Sequence, residues 1–210
     1  MLRVLGDTPC PVVPHAVDGV PVVEIGPYCF ADKPVTGGTL WPADSADTHE
    51  ITGNFVEEVT LPDAVRVIDS AAFYNCRRLR RVALGPAADS FGSDLFTNCR
   101  SLQTLELHAD PGEPTGLRRL LVAISADVTV AFTGGARLFY PEYFELLDEN
   151  TPAHIFNHSI EGEGYRMRQC FAPDGSLDFA AYDASFAQAC VGESEEKLCK
   201  LALGRLCLPY

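Results

Sequence analysis

The spacing in this chain closest to a metal site is His154-Ile155-Phe156-Asn157-His158, which puts two imidazoles one helical turn apart. The glutamate that a zinc-protease helix carries beside its first histidine is missing. Cys170 is the residue that could add a third ligand, and Cys170 with His154 or His158 is also the one thiol–imidazole set close in sequence. No known nucleophile motif surrounds Cys170, and two ordinary surface or half-buried histidines are the favoured reading of the pattern. Gly162-Glu163-Gly164 lacks the Gly-Lys-Ser/Thr ending of a phosphate loop, and Glu163 would repel phosphate. No GxSxG elbow and no DxDxDG calcium loop occurs. The chemistry therefore predicts no catalytic residue, no cofactor and no metal. An enzyme or metal-binding protein built around His154, His158 and Cys170 is the alternative.

Arg77, Arg78, Arg80 and Arg81, joined by Arg100, form the one basic concentration. Its functional reading is an anion or acidic-peptide site. Its plainer reading is a solvated turn, with Arg81 flanked across a sheet by Glu58.

The elements that carry these residues repeat. Val56-x-x-Val59-x-Leu61 recurs as Leu79-x-x-Val82-x-Leu84, and at the same interval again as Leu102-x-x-Leu105-x-Leu107. A fourth step gives Val128 and Val130, with the first apolar position lost at Ser125. Between these segments Ile68 matches Phe91, Phe73 matches Phe96, and Asn75-Cys76 matches Asn98-Cys99. A shifted earlier copy runs from Val22 to Phe30, in which Ile25 and Phe30 keep the spacing of Ile68 and Phe73. The stretch from about Lys33 to Gly53 has no period and reads as an insertion. Each unit is a short strand, a turn and a second apolar stretch that cannot bury itself alone, so copies must stack. Strand alternation turns Val59/Leu61, Val82/Leu84, Leu105/Leu107 and Val128/Val130 inward. It leaves Glu58, Thr60, Arg81, Ala83, Thr104 and Glu106 on an open face, continued by Asp127 and Thr129.

The phrases from Leu61 to Leu79 and from Asp94 to Leu102 resemble the BspA-like class of bacterial leucine-rich repeats, which reads roughly L-P-x-x-V-x-x-I-x-x-x-A-F-x-x-C-x-x-L. The opening Val17–Gly26 is similar to a first repeat of that class, and the resemblance covers roughly residues 12–130. It implies a short right-handed solenoid with a parallel β-sheet, in a protein that binds a partner or is displayed at a surface. It also implies that Cys76 and Cys99 form a ladder of reduced buried thiols. A disulfide between these two is the geometric alternative.

After Val130 the period stops at Thr133-Gly134-Gly135. Pro141–Glu149 predicts a helix opened by proline, and Thr151-Pro152 a second one. Asp178–Ala189 carries Phe179, Tyr182 and Phe186 at helical spacing. Ser194 caps a last helix with Leu198, Ala202 and Leu206 as its buried stripe. Tyr140, Tyr143 and Phe144 are expected to wedge this part against the last repeat. The expectation is an α+β chain: a repeat domain over 1–135, with its insertion at about 33–53, and an α-helical module or cap over 136–210.

Composition bounds the function. The 210 residues carry a net charge of −13, spread as −7 over 1–110 and −6 over 111–210. That balance argues against nucleic acid or an anionic membrane as partner. No apolar run approaches a membrane span and no signal peptide is visible, so the chain reads as cytoplasmic, with the cell surface as the alternative. The function expected is that of a non-catalytic interaction or scaffold protein. It would bind an unidentified protein through Glu58, Thr60, Arg81, Ala83, Thr104 and Glu106, with a cell-surface adhesin as a further alternative.

Overall fold

The computed structural model describes residues 3–32, 49–150 and 155–207. The chain opens with β1 (Leu5–Gly6), the hairpin of β2 (Ala16–Val17) and β3 (Val20–Pro21), and β4 (Glu24–Ile25). The hairpin turns on Asp18 and Gly19, both at positive φ, as a tight two-residue loop requires. Of the insertion expected at about 33–53, residues 33–48 lie outside the described residues. The chain is next seen at β5 (His49–Glu50), which pairs antiparallel with β1.

From there the repeat takes over. The strands β6 (Glu58–Thr60), β7 (Val67–Ile68), β8 (Arg81–Leu84), β9 (Ser90–Phe91) and β10 (Thr104–Leu107) alternate between two ladders. In the larger sheet Val59 lies opposite Val82, and Val82 opposite Leu105, each parallel step advancing the chain by one repeat. In the smaller sheet Ile25 lies opposite Ile68, and Ile68 opposite Phe91. The first of those steps contains the inserted stretch and is longer than the second, yet the stack keeps its register.

Between the two ladders the apolar positions form columns. Val59, Val82 and Leu105 are buried, and the rings of Phe30, Phe73 and Phe96 stack at 5.1 and 5.3 Å with nearly parallel planes. Beside that column the Cys76 thiol donates to the Phe30 carbonyl at 3.1 Å, and the Cys99 thiol to the Phe73 carbonyl at 3.0 Å. Each thiol therefore satisfies a backbone acceptor of the preceding turn. The two cysteines are free, as the resemblance implies.

The fourth step departs from the period. Helix α1 (Leu117–Val122) replaces the irregular return, and β11 (Val128–Phe132) pairs with β10 so that Leu105 faces Val130 and not Val128. The shift from Val128 to Val130 equals one strand period, so both valines still point inward. After the turn at Gly134 and Gly135, both at positive φ, β12 (Arg137–Tyr140) runs back antiparallel and ends the five-stranded sheet.

The next segment corrects the sequence expectation. Residues 141–149 and 155–161 do not form helices. The chain makes an antiparallel hairpin of β13 (Phe144–Asn150) and β14 (Ile155–Glu161), with residues 151–154 outside the described residues. The aromatic and β-branched residues at 144, 155, 156 and 160 suit a pleated strand. Pro141 follows an extended Tyr140, the conformation that proline favours in the residue before it.

Three helices close the chain: α2 (Gly164–Met167), α3 (Phe179–Gly192) and α4 (Glu195–Arg205). Asp178 caps α3 by accepting from Ala181 N, and Ser194 caps α4 by accepting from Lys197 N. The stripe expected on α4 is rotated. Leu201 and Gly204 are buried and Leu206 is 82% exposed, because Gly204 lets α4 come up against the β12 backbone at Arg137 and Leu138. Tyr140 and Tyr143 are buried at this junction as expected, with Tyr140 edge-on to Tyr182, whereas Phe144 is exposed.

Candidate functional site

The outward positions of β6, β8 and β10 bring together the residues that the alternation assigns to the open face. In register, Glu58 lies beside Arg81 and Arg81 beside Thr104, while Thr60 lies beside Ala83 and Ala83 beside Glu106. The Arg81 guanidinium donates from Nε and Nη2 to one Glu106 oxygen at 2.8 and 2.6 Å, and from Nη1 to Glu58 at 3.4 Å. Glu58, Thr60, Arg81, Thr104 and Glu106 are all half-buried. Ala83 differs: it is fully buried, so its methyl is not available to a partner. A small side chain set between in-register Thr60 and Glu106 is shielded by its longer neighbours.

Two residues that the sequence reading left out extend this charged row. His108 Nδ1 lies 2.6 Å from Asp63 Oδ1, and its Nε2 lies 3.6 Å from Glu106. Asp63, His108, Glu106, Arg81 and Glu58 thus form one chain of polar contacts across the sheet. The signal for His108 was in the alternation, since it is the next outward position after Glu106. Asp63 sits in a turn, where strand alternation says nothing.

A second arrangement fixes the end of the sheet. Arg168 is fully buried, and among the described residues no carboxylate pairs with its guanidinium. Its Nε donates to the carbonyls of Ile124 (3.0 Å) and Leu121 (3.2 Å), Nη1 to those of Gly164 (2.9 Å) and Pro141, and Nη2 to that of Ala126 (2.8 Å). The guanidinium also lies 5.1 Å from the Tyr143 ring centroid. Burial holds its pKa down to about 10, while Tyr143, Tyr140 and Asp127 pull the other way. One side chain therefore ties α1, the loop before β11, the end of β12 and the start of α2. Gly164 is required there, because a Cβ would stand 1.9 Å from the Pro141 carbonyl oxygen.

The alternative site does not assemble within what is described. His154 and the side chain of His158 lie outside the described residues. Cys170 is buried, with Sγ 3.5 Å from Ser185 Oγ, and burial raises its pKa, which disfavours a thiolate nucleophile. Among the described residues, no group of three His, Cys, Asp or Glu side chains could hold a metal. Nor is any described helix long and apolar enough to cross a membrane.

Residues 51–112 match the family model described as BspA type Leucine rich repeat region (6 copies). This stretch belongs to the BspA-type leucine-rich repeats. No curated protein and no solved structure matches the chain. The leucine-rich-repeat match covers β6 to β10 and with them every open-face residue from Glu58 to Glu106. Stacking continues on both sides of it, through Ile25 against Ile68 and Leu105 against Val130. Leucine-rich repeats serve in general as protein-interaction modules, and their stacking builds extended binding surfaces.

Proposed function

We propose that this is a non-catalytic interaction protein of the cytoplasm that binds a protein partner through the outward face of its repeat sheet. In this reading residues 1–135 present the surface and residues 136–210 cap it. The observation that carries the reading is the chain of contacts from Glu58 through Arg81 and Glu106 to His108. These polar groups are half-exposed and held by one another, so a partner meets them already ordered and loses little side-chain entropy on contact. The alternating signs along this row favour a partner of complementary mixed charge over nucleic acid. The free state of all eight cysteines supports a reducing compartment.

The test is affinity capture from native lysate with the intact chain as bait, followed by the Glu58→Ala/Arg81→Ala/Glu106→Ala variant. The pairs removed are part-exposed and worth about 1 kcal/mol or less each, so the variant keeps its fold, which a thermal melt verifies. The reading predicts that the specific partner is lost. Undiminished capture by the folded variant rejects this surface.

A further inference from the structure

Beside the sheet face runs a second charged feature that the sheet-face reading does not use. Arg77 and Arg100 occupy the same position in adjacent turns, one repeat apart, just before strands β8 and β10. The turns that carry them are matched in detail. Asn75 and Asn98, two positions upstream of each arginine, share left-handed backbone (φ 62° and 64°), and Asn98 Nδ2 donates to Asn75 Oδ1 at 2.8 Å. Stacked turns lie about 4.8 Å apart, so two cationic side chains leave the backbone at neighbouring positions. Both are exposed, and among the described residues neither guanidinium has a hydrogen bond or an ion pair. Like charges at this spacing repel.

The same edge shows how such a pair is satisfied. Arg78 and Arg80 share the carboxylate of Glu57, one guanidinium to each oxygen. Glu57 is the neighbour of Arg80 in the preceding turn, whose carbonyl also accepts from Arg80 N at 2.7 Å. For Arg77 and Arg100 the protein provides no corresponding acid among the described residues. Counting Glu57, the four arginines leave a local charge of +3 on a molecule whose net charge is −13.

The geometry points to Arg77 and Arg100 as a docking site for an acidic peptide segment, whose carboxylate takes between them the place that Glu57 takes between Arg78 and Arg80. The ligand chemistry is a side-chain carboxylate accepting charge-assisted hydrogen bonds from two guanidinium groups. The site stands apart from the sheet face, because both arginines lie on the turns that precede the strands and not on the strands themselves.

The experiment is a fluorescence-anisotropy titration of a labelled hexaglutamate peptide with the full chain. It compares wild type with Arg77→Glu/Arg100→Glu and with Arg66→Glu/Arg118→Glu, which makes the same change in net charge at exposed arginines elsewhere. The site predicts salt-sensitive binding, weakened at least about tenfold in the first variant and less than about twofold in the second. Equal loss in both variants would mean that overall charge governs binding and would overturn the site, as would absence of peptide binding to wild type. Binding of inorganic tripolyphosphate without binding of the peptide would likewise overturn it in favour of a phosphate ligand.

Discussion

Arg168 reaches far back along the chain to donate from Nε to the carbonyl oxygen of Ile124 at 3.0 Å. That bond, with the four others its guanidinium makes to backbone carbonyls, joins α1 and the loop before β11 to the end of β12 and the start of α2. The terminal turn of a parallel stack otherwise presents apolar surface and a free strand edge, so contacts that tie it to the following chain matter for stability.

Removing that side chain takes a donor from five carbonyls, of which those of Leu121 and Gly164 keep a backbone N–H and, among the described residues, those of Ile124, Pro141 and Ala126 do not. Arg168→Met is expected to lower unfolding stability by about 3 kcal/mol or more. Arg168→Lys is expected to recover little, since an ammonium cannot span the same acceptors. Urea unfolding of the two variants checks this, and a loss below about 1 kcal/mol for Arg168→Met would contradict the role.

The Phe30–Phe73–Phe96 column makes a second stability prediction. Phe73 is fully buried between two stacked rings, so Phe73→Ala is expected to cost about 3–5 kcal/mol. Leu206→Ala, at an exposed position just after α4, is expected to change stability by no more than about 0.5 kcal/mol. Denaturant midpoints of the two variants make the comparison.

Thiol accessibility separates the cysteines into two sets. Cys10, Cys190, Cys199 and Cys207 are exposed, and Cys29, Cys76, Cys99 and Cys170 are buried. Ellman's reagent is expected to titrate four thiols rapidly in the native protein and all eight after unfolding. Fewer than eight after unfolding without reductant would reveal a disulfide that the stacked geometry does not contain.

The buried thiols also set an alkaline limit. Burial raises Cys29 and Cys99 from 9.0 to about 12, and Cys76 higher still. A raised folded-state pKa gives stability that is complete below about pH 9 and is lost as pH rises through about 12. Arg168 works in the opposite sense, since the cost of burying its charge is relieved above about pH 10, but it is one group against four buried thiols. The urea midpoint is expected to hold from about pH 7 to about 9 and to fall above that, less steeply in Cys99→Ala. A midpoint that stays level to about pH 11 would contradict this.

The repeats were legible because a constant period leaves its mark in residue type. Val59, Val82 and Leu105 share one column, and Ile68 faces Phe91, as read from spacing alone. The period failed where the return between strands changed its form. Helix α1 lengthened the last step and moved the partner of Leu105 from Val128 to Val130. The segment after Tyr140 misled for a different reason: proline beside acids imitates a helix start, and the pairing of 144–150 with 155–161 is visible only once the two strands meet. Of the open face, Glu58, Thr60, Arg81, Thr104 and Glu106 lie where alternation puts them. Ala83 shows that a position can face outward and still be covered by longer neighbours. Arg168 left no signal, because a lone arginine in an aperiodic stretch looks like any surface charge until five carbonyls are found around it.

Every residue assigned to the face and to the edge depends on register, and nuclear Overhauser contacts across the sheet read register directly. In isotope-labelled protein, backbone contacts are expected between Val59 and Val82, Val82 and Leu105, and Leu105 and Val130. Contacts joining Leu105 to Val128 in their place, or no contacts between matching positions of successive repeats, would contradict the stacked arrangement and with it the proposed binding surfaces.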